Sequence, residues 1–232
     1  MSQATHTYEE WQQIGAGVDY PDRAFIDGEL VPAQSGKTYE CINPTTGQRL
    51  AVVAECGPED VDRAVQAARK SFEDGRWSEA GPADRKAVML RLAELIRENG
   101  DELAVLETMN MGKTVEEAAQ IDIPGAADLF QWYAETSDKL LGEVAPTGMN
   151  DVALVTREPL GVVAAVTPWN QPLLLATWKA APALIAGNSL VLKPAEQAPH
   201  SSLRLGELAI EAGLPPGCSM SSPVPAPQPA RP

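Results

Sequence analysis

Between Gly161 and Gly213 the chain alternates two strands with two helices, and this alternation constrains the fold more than any other feature. The run GVVAAVTP at 161–168 is continuously apolar, as expected of a strand covered on both faces. A helix, LLLATWKAAPALIAG, follows it and ends at Gly187. A second strand, SLVLKP, and a second helix, PHSSLRLGELAIEAG, repeat the unit. Right-handed crossovers of this kind build a parallel sheet, so the sequence predicts an α/β fold.

The chain before this unit predicts strands, then helices, then an exposed hairpin. RAFIDGELVPA carries an Asp-Gly hairpin signal, and TYECINPTTGQRLAVVAEC predicts a second hairpin that turns at NPTTG. Helices are expected from Pro58 onward, with a break near Asn99 and a stop at Gly112. Pro124 marks a kink or break. The segments EVAPT and DVALVTREPLG then read as two strands joined by GMN.

Composition narrows the classes of partner. The net charge of −14 is spread along the chain, which disfavours nucleic acid and anionic membranes as partners because phosphates would be repelled. No apolar run reaches the length of a membrane span. The first residues lack the features of a signal peptide, so we expect a cytoplasmic protein. The cysteines, Cys41, Cys56 and Cys218, are too few and scattered for a disulfide framework or a metal site, and Cys41 is expected in the core.

Two polar motifs follow the predicted parallel strands. In TPWNQP, Asn170 lies where open α/β sheets bind ligands, and its amide can donate to an oxyanion; the alternative is an ordinary turn. In LKPAEQAP, Lys193 and Glu196 can grip sugar hydroxyls; the alternative is an exposed salt bridge. Cys218 lies in a patternless segment, so it is not expected to act as a nucleophile.

Long motifs in a fixed order give the chain a family resemblance. INPTTGQRLAVVAE, ETMNMGKTVEEA, REPLGVVAAVTPWN, WKAAPALIAGNSLVLKPAEQAP and EAGLPPG together resemble the NAD(P)-dependent aldehyde dehydrogenase superfamily. DIPGAADLFQWYAE and GEVAPT look most like members that act on amino-aldehydes, such as γ-glutamyl-γ-aminobutyraldehyde dehydrogenases.

The resemblance implies roles for individual residues. Asn170 matches the catalytic asparagine that steadies the oxyanion formed when a cysteine thiolate attacks the aldehyde. The resemblance places the other site residues around the cofactor and the substrate: Thr167, Pro168 and Trp169 beside the nicotinamide, Lys193 and Glu196 on the adenosine ribose, Gln171 and Trp178 in the substrate tunnel, and Lys179 near the active site. The family usually has Phe where this chain has Gln171. Because Glu196 would repel a 2′-phosphate, NAD is expected in preference to NADP.

The resemblance also divides the chain. Residues 1–217 match the N-terminal part of the family's NAD-binding domain, an incomplete Rossmann-like parallel sheet preceded by strands, a helical segment and a bridging β-hairpin. The hairpin, residues 142–159, matches the arm that bridges subunits in the family's homo-oligomers. Residues 218–232, CSMSSPVPAPQPARP, are proline-rich and without a period, so no third strand is expected there.

The proline-rich tail is consistent with a lost base. One choice of codons for residues 218–232, shifted by one base near Gly217, reads VLNVVPGSGPTAGAA, which resembles the family's continuation after GLPPG. The alternative is a genuine disordered linker. In the family, the catalytic cysteine, the general-base glutamate and the glycine-containing phosphate turn come after this point.

The sequence therefore predicts a truncated NAD-dependent aldehyde dehydrogenase. The full enzyme would oxidise an aldehyde to a carboxylic acid, with the cysteine in covalent catalysis and the glutamate activating water. The chain alone is expected to be inactive. A second hypothesis is a non-catalytic chain that associates with intact homologues through the hairpin, and a third is a partner that uses PVPAPQP as a polyproline ligand.

Overall fold

A five-stranded mixed sheet organises the chain. The computed structural model describes residues 6–221. The strands of the sheet, in the order in which they lie side by side, are β2 (Glu29–Val31), β1 (Ala24–Ile26), β9 (Ser219–Ser221), β8 (Ser189–Lys193) and β7 (Val162–Val166). Strands β7, β8 and β9 are parallel, whereas β1 pairs antiparallel with both β2 and β9.

Helices cover both faces of the sheet. They are α1 (Tyr8–Ala16), α2 (Pro58–Glu73), α3 (Pro82–Glu98), α4 (Gly100–Met111), α5 (Val115–Glu117), α6 (Ile123–Thr136), α7 (Pro172–Ile185) and α8 (His200–Glu211). Helix α2 packs on one face, and α7 and α8 pack on the other. Helices α3, α4 and α6 form an outer layer against α7 and α8. None of the helices in this described part has the length and apolar character needed to cross a bilayer.

The expectation that the apolar run of β7 is covered on both faces was wrong, because β7 lies at the edge of the described sheet, where Ala164 and Val166 are exposed. Strand β8, in the interior of the sheet, is covered on both faces. Leu190 and Leu192 face the core beneath α7 and α8, while Val191 faces the core beneath α2. Alternate side chains of one strand therefore enter two different cores, as expected of a strand covered on both faces. The predicted α/β class and the strand–helix–strand–helix unit are confirmed.

The local signals for turns and helix ends are confirmed at most positions. Asp27 and Gly28 both have positive φ, the requirement of the tight turn that joins β1 to β2. The second predicted hairpin is β3 (Thr38–Ile42) and β4 (Arg49–Ala54). Gly112 ends α4 in the left-handed conformation. Pro124 lies in the first turn of α6, directly after a π-helical turn at 118–122.

The expectation that no third parallel strand forms was wrong. Ser219–Ser221 pair in parallel with Leu190–Leu192, and Ser221 also pairs antiparallel with Phe25. The strand forms because two neighbours bond its backbone groups from both sides, and Pro223 follows only after it. The tail beyond residue 221 lies outside the described residues.

The hairpin at 142–159 projects from the body of the protein. Strands β5 (Glu143–Ala145) and β6 (Ala153–Val155) pair only with each other in the described structure. Their connection, residues 146–152, is longer than the predicted GMN turn. Val144 and Leu154 face each other across the pair, and both are mostly exposed. The structure thus contains the predicted hairpin as an apolar, solvent-exposed ribbon.

Candidate active site at the carboxyl edge of the sheet

Two loops leave the sheet at the same edge. Val166 and Lys193 end β7 and β8 side by side, and the backbone N–H of Thr167 donates to the carbonyl of Lys193 at 3.0 Å. The loop 167–171 and the loop 194–199 therefore start as neighbours. This edge is where open parallel sheets place their ligands.

The first loop presents a free amide to solvent. Asn170 is exposed, and its carboxamide has no hydrogen-bond partner among residues 6–221. Pro168 and Trp169 before it are also exposed, whereas Thr167 is buried. The backbone bond of Thr167 holds the base of the loop to the sheet, and the loop beyond it projects outward. Asn170 can thus donate a hydrogen bond to a ligand.

The second loop carries an ion pair. Lys193 Nζ lies 4.0 Å from Glu196 Oε2 and donates to the carbonyl of Pro194 at 3.2 Å. The two side chains are only 27% and 28% exposed. The pair is therefore partly enclosed, whereas the alternative interpretation was an exposed salt bridge on the surface. A cation and a carboxylate held together in this way can donate to and accept from a sugar diol.

The remaining predicted residues lie around α7. Gln171 is half-buried at the start of the helix. Trp178 is 54% exposed, and Lys179 is exposed beside it. Trp178 lies six positions after Pro172, a rise of about 9 Å along the helix. The structure therefore brings together the two loops, and it places Trp178 and Lys179 further along the helix that follows the first loop.

Sequence reasoning missed two buried polar residues: Asn188 at the amino edge of the sheet, opposite these loops, and Glu107 near the start of the helix that follows the first loop. Asn188 accepts from the backbone N–H groups of Leu160 and Gly161, at 2.7 and 3.0 Å, and so fixes the start of β7. Glu107 on α4 accepts from the backbone N–H of Leu173, at 3.1 Å, close to the start of α7. The only local hint of Glu107 was indirect. Gln171, at the N-cap of α7, forms no side-chain cap, so the N–H groups of the first turn need a partner from elsewhere.

All three cysteines of the chain are buried. Burial raises the pKa of the Cys41 and Cys218 thiols to about 11 in each case. Cys218 is held in the core by a contact of 2.9 Å between its Sγ and Ser71 Oγ on α2. The prediction of a core position for Cys41 is confirmed. Within residues 6–221, no cluster of three potential ligands could hold a metal ion.

This fold belongs to a known class. The sequence profile described as the aldehyde dehydrogenase family matches residues 30–221. The chain therefore belongs to the aldehyde dehydrogenase family, and the predicted family is confirmed.

Individual relatives agree with this assignment. The chain is 48% identical, over 91% of its length, to the NADP/NAD-dependent aldehyde dehydrogenase PuuC of Escherichia coli. It is 49% identical, over 90% of its length, to the aminoacetaldehyde dehydrogenase of Pseudomonas aeruginosa. It spans 43% and 42% of these two relatives.

Solved structures share the fold. The γ-glutamyl-γ-aminobutyraldehyde dehydrogenase of Burkholderia cenocepacia superimposes with a TM-score of 0.93 at 50% identity, over 95% of this chain and 45% of that one. An indole-3-acetaldehyde dehydrogenase in complex with NAD⁺ gives a TM-score of 0.93 at 48% identity, over 96% of this chain and 44% of that one. The Rossmann-like N-terminal region is thereby confirmed.

Proposed function

We propose that the chain supplies the oxyanion-binding and cofactor-binding part of an NAD-dependent aldehyde dehydrogenase. The observation that carries the proposal is the exposed, unpartnered amide of Asn170 beside the Lys193–Glu196 pair, at one edge of a parallel sheet. The whole reaction is the oxidation of an aldehyde to a carboxylic acid. Amino-aldehydes are the substrate class we favour, because PuuC and an aminoacetaldehyde dehydrogenase are among the similar proteins.

The residues present fit a nicotinamide dinucleotide. Lys193 can donate to the adenosine ribose hydroxyls and Glu196 can accept from them. Thr167, Pro168 and Trp169 lie beside Asn170, where the nicotinamide would be bound, and the hydroxyl of Thr167 has no partner among residues 6–221. NAD, when bound, accepts the hydride. Glu196 would repel the extra phosphate of NADP, so the proposal includes a preference for NAD.

Asn170 acts on the substrate carbonyl. Its N–H group donates to the oxygen that becomes negative when a thiolate attacks the aldehyde, and a fixed donor stabilises that charge more than water does. Gln171 and Trp178 line the path of the aldehyde, and Lys179 lies close by. The thiolate cannot come from Cys41, Cys56 or Cys218, because all three are buried. The proposal therefore assigns this chain one part of the catalytic site.

The exposed hairpin supports a second element of the proposal. Residues 142–159 bridge subunits of a homo-oligomer, because an apolar ribbon of this kind is stabilised when a partner covers it. The same surface favours the alternative function, a non-catalytic chain that associates with intact homologues. We place the protein in the cytoplasm, since its cysteines do not form a disulfide framework.

The lost base is also part of the proposal. Residues 1–217 are the N-terminal part of the NAD-binding domain, and residues 218–232 are read out of frame. In the shifted frame, the positions of β9 read Leu-Asn-Val, so that Leu and Val stand where the chain as given has Ser219 and Ser221. Resequencing the locus tests this directly.

Cofactor binding tests the site without any need for turnover. We expect saturation-transfer NMR on the 232-residue chain to detect weak NAD binding, weaker NADP binding, and loss of the NAD signal in Lys193→Ala. Glu196→Gln should reduce the difference in affinity between NAD and NADP. Glu211→Gln, an exposed residue at the far end of α8, is the matched control. Equal binding of NAD and NADP by the wild type would contradict the role of Glu196. Micromolar affinity for NAD would contradict the expectation that the chain binds NAD weakly.

A further inference from the structure

One buried carboxylate contacts the starts of both helices that follow the site loops. Glu107 lies on α4 and is fully buried. Its Oε1 accepts from the backbone N–H of Leu173, at 3.1 Å, and from the hydroxyl of Ser201. Leu173 is the second residue of α7, and Ser201 is the second residue of α8.

Both helices lack a side-chain cap of their own. Gln171 and Pro199 occupy the N-cap positions and form no side-chain cap, and neither first turn contains an acidic residue. The N–H groups of a first turn have no partner within their helix, and a negative charge there is favourable. Glu107 provides that charge to α7 from α4, a helix that is far away in the sequence but in contact in the fold. Asn110, one turn further along α4, accepts from the backbone N–H of His200 at 3.3 Å.

The helix starts are joined directly to the proposed site. Leu173 lies three residues after Asn170, and His200 lies four residues after Glu196. We propose that Glu107 is a positioning residue that couples the two loops, so that its charge state sets the placement of Asn170 and of the Lys193–Glu196 pair together. The coupling rests on the proposed function only in calling these loops a site.

The surroundings of Glu107 make its charge variable near neutral pH. Burial raises the pKa of its carboxyl to about 7, against the hydrogen bonds from Ser201 and Leu173, which favour the charged form. Two other charged groups act on it: Asp122 raises the pKa, and Lys113, which is paired with Asp122, lowers it. Within residues 6–221, Glu107 Oε2 and Asp122 Oδ1 have no hydrogen-bond partner.

Protonation weakens the cap. A carboxylate accepts hydrogen bonds more strongly than a neutral carboxyl does, so a proton on Glu107 weakens the bonds to Leu173 and Ser201 at once. The starts of α7 and α8 are then held less firmly, and the loops before them change position together.

Backbone amide NMR of the full chain between pH 5.5 and 8.5, without ligand, tests the coupling. We expect the Leu173 amide to titrate with a midpoint near 7. The amides of Asn170 and Glu196 should titrate with the same midpoint. Glu107→Gln, which keeps the shape of the side chain and loses its charge, should abolish the transition at all three amides. Because no cofactor is present, failure of NAD to bind would overturn the proposed function and leave this result unaffected.

Milder variants keep the test decisive if Glu107→Gln does not fold. Ser201→Ala should raise the common midpoint, because it removes a hydrogen bond that favours the charged form. Ser202→Ala is the matched control, since Ser202 is equally buried and its hydroxyl has no partner within residues 6–221. The inference is overturned if the loop amides do not follow Leu173, or if Ser201→Ala and Ser202→Ala leave the same midpoint.

Discussion

Among the residues of this chain, Asn170 has the most specific role in the proposed reaction, the binding of the oxyanion. Its amide is exposed and unpartnered within the described structure. In a protein with the restored reading frame, Asn170→Ala should lower kcat by roughly a hundred- to a thousandfold, the usual loss for one oxyanion donor. Gln171→Ala, the neighbouring amide, should change KM for the aldehyde more than kcat. Full activity of Asn170→Ala, with the chemical step rate-limiting, would rule out the oxyanion role.

His200 makes folding stability depend on pH. The ring is fully buried, with Nδ1 2.9 Å from the carbonyl of Pro21, so we assign the proton of the neutral ring to Nδ1. Burial lowers its pKa to about 4 from an ordinary 6.5. The unfolded chain therefore binds a proton at a higher pH than the folded chain does. The stabilisation is fully present above pH 6.5 and is lost as the pH falls towards 4.

Replacement of His200 should remove this dependence. Between pH 7 and pH 4, the free energy of unfolding of the wild type should fall, relative to that of His200→Gln, by up to about 3 kcal/mol. Glu107→Gln provides a control of opposite sign, because a raised carboxyl pKa costs stability as the pH rises from its ordinary 4.5 to about 7. Urea denaturation at several pH values measures both differences. Parallel curves for the wild type and His200→Gln would show that the imidazole does not act in this way.

Helices and strands whose own residues carry turn, end or apolar-face signals were predicted from the sequence. Elements that form only by pairing with distant segments were not. The hairpin at Asp27-Gly28 and the helices α7 and α8 carry their own turn residues, end residues and apolar faces. Strand β9 has none of these. It forms because β8 and β1 offer backbone partners on either side, information that lies far away in the sequence.

One helix was missed although its signal was present. Thr7 and Glu10 form a reciprocal capping box at the start of α1, the Thr-x-x-Glu pattern of a helix N-terminus. No residue of α1 is fully buried, so its sequence lacks the apolar stripe from which the other helices were predicted. At the site, the positions of Asn170 and Lys193 followed from the end of each strand. The carboxylate of Glu107 could not be placed, because its contacts join positions 66 and 94 residues apart.

The β5–β6 ribbon is the element on which association should depend. Val144 and Leu154 are 72% and 67% exposed and lie opposite each other. Replacing both with Lys should weaken self-association, because two charges would have to be desolvated in the interface. Sedimentation velocity should show a smaller species than the wild type forms. Ile121→Lys, an exposed apolar position outside the hairpin, is the matched control, and an unchanged assembly in the double variant would exclude the ribbon as the interface.

For the whole molecule, the 232-residue chain should not oxidise aldehydes. A thiolate nucleophile contributes most of such a reaction, and binding groups alone do not replace it. The buried thiols of Cys41 and Cys218, with pKa values raised to about 11, do not supply a thiolate near neutral pH, and Cys56 is buried too. NADH formation with a panel of amino-aldehydes measures this. Turnover that survives replacement of all three cysteines would mean that the proposed chemistry is wrong.

One added base near the Gly217 codon, in the genomic context, should give a chain that oxidises aldehydes. The tail would then read VLNVVPGSGPTAGAA, and its first residues would bring apolar side chains to the backbone positions of β9. The reopened frame should continue into a glycine-containing turn, a glutamate and a cysteine, and its product should reduce NAD in the presence of amino-aldehydes. Adding three bases at the same place keeps the original frame and is the control. If the downstream DNA contains no such frame, residues 218–232 are a genuine tail and the lost-base proposal is wrong.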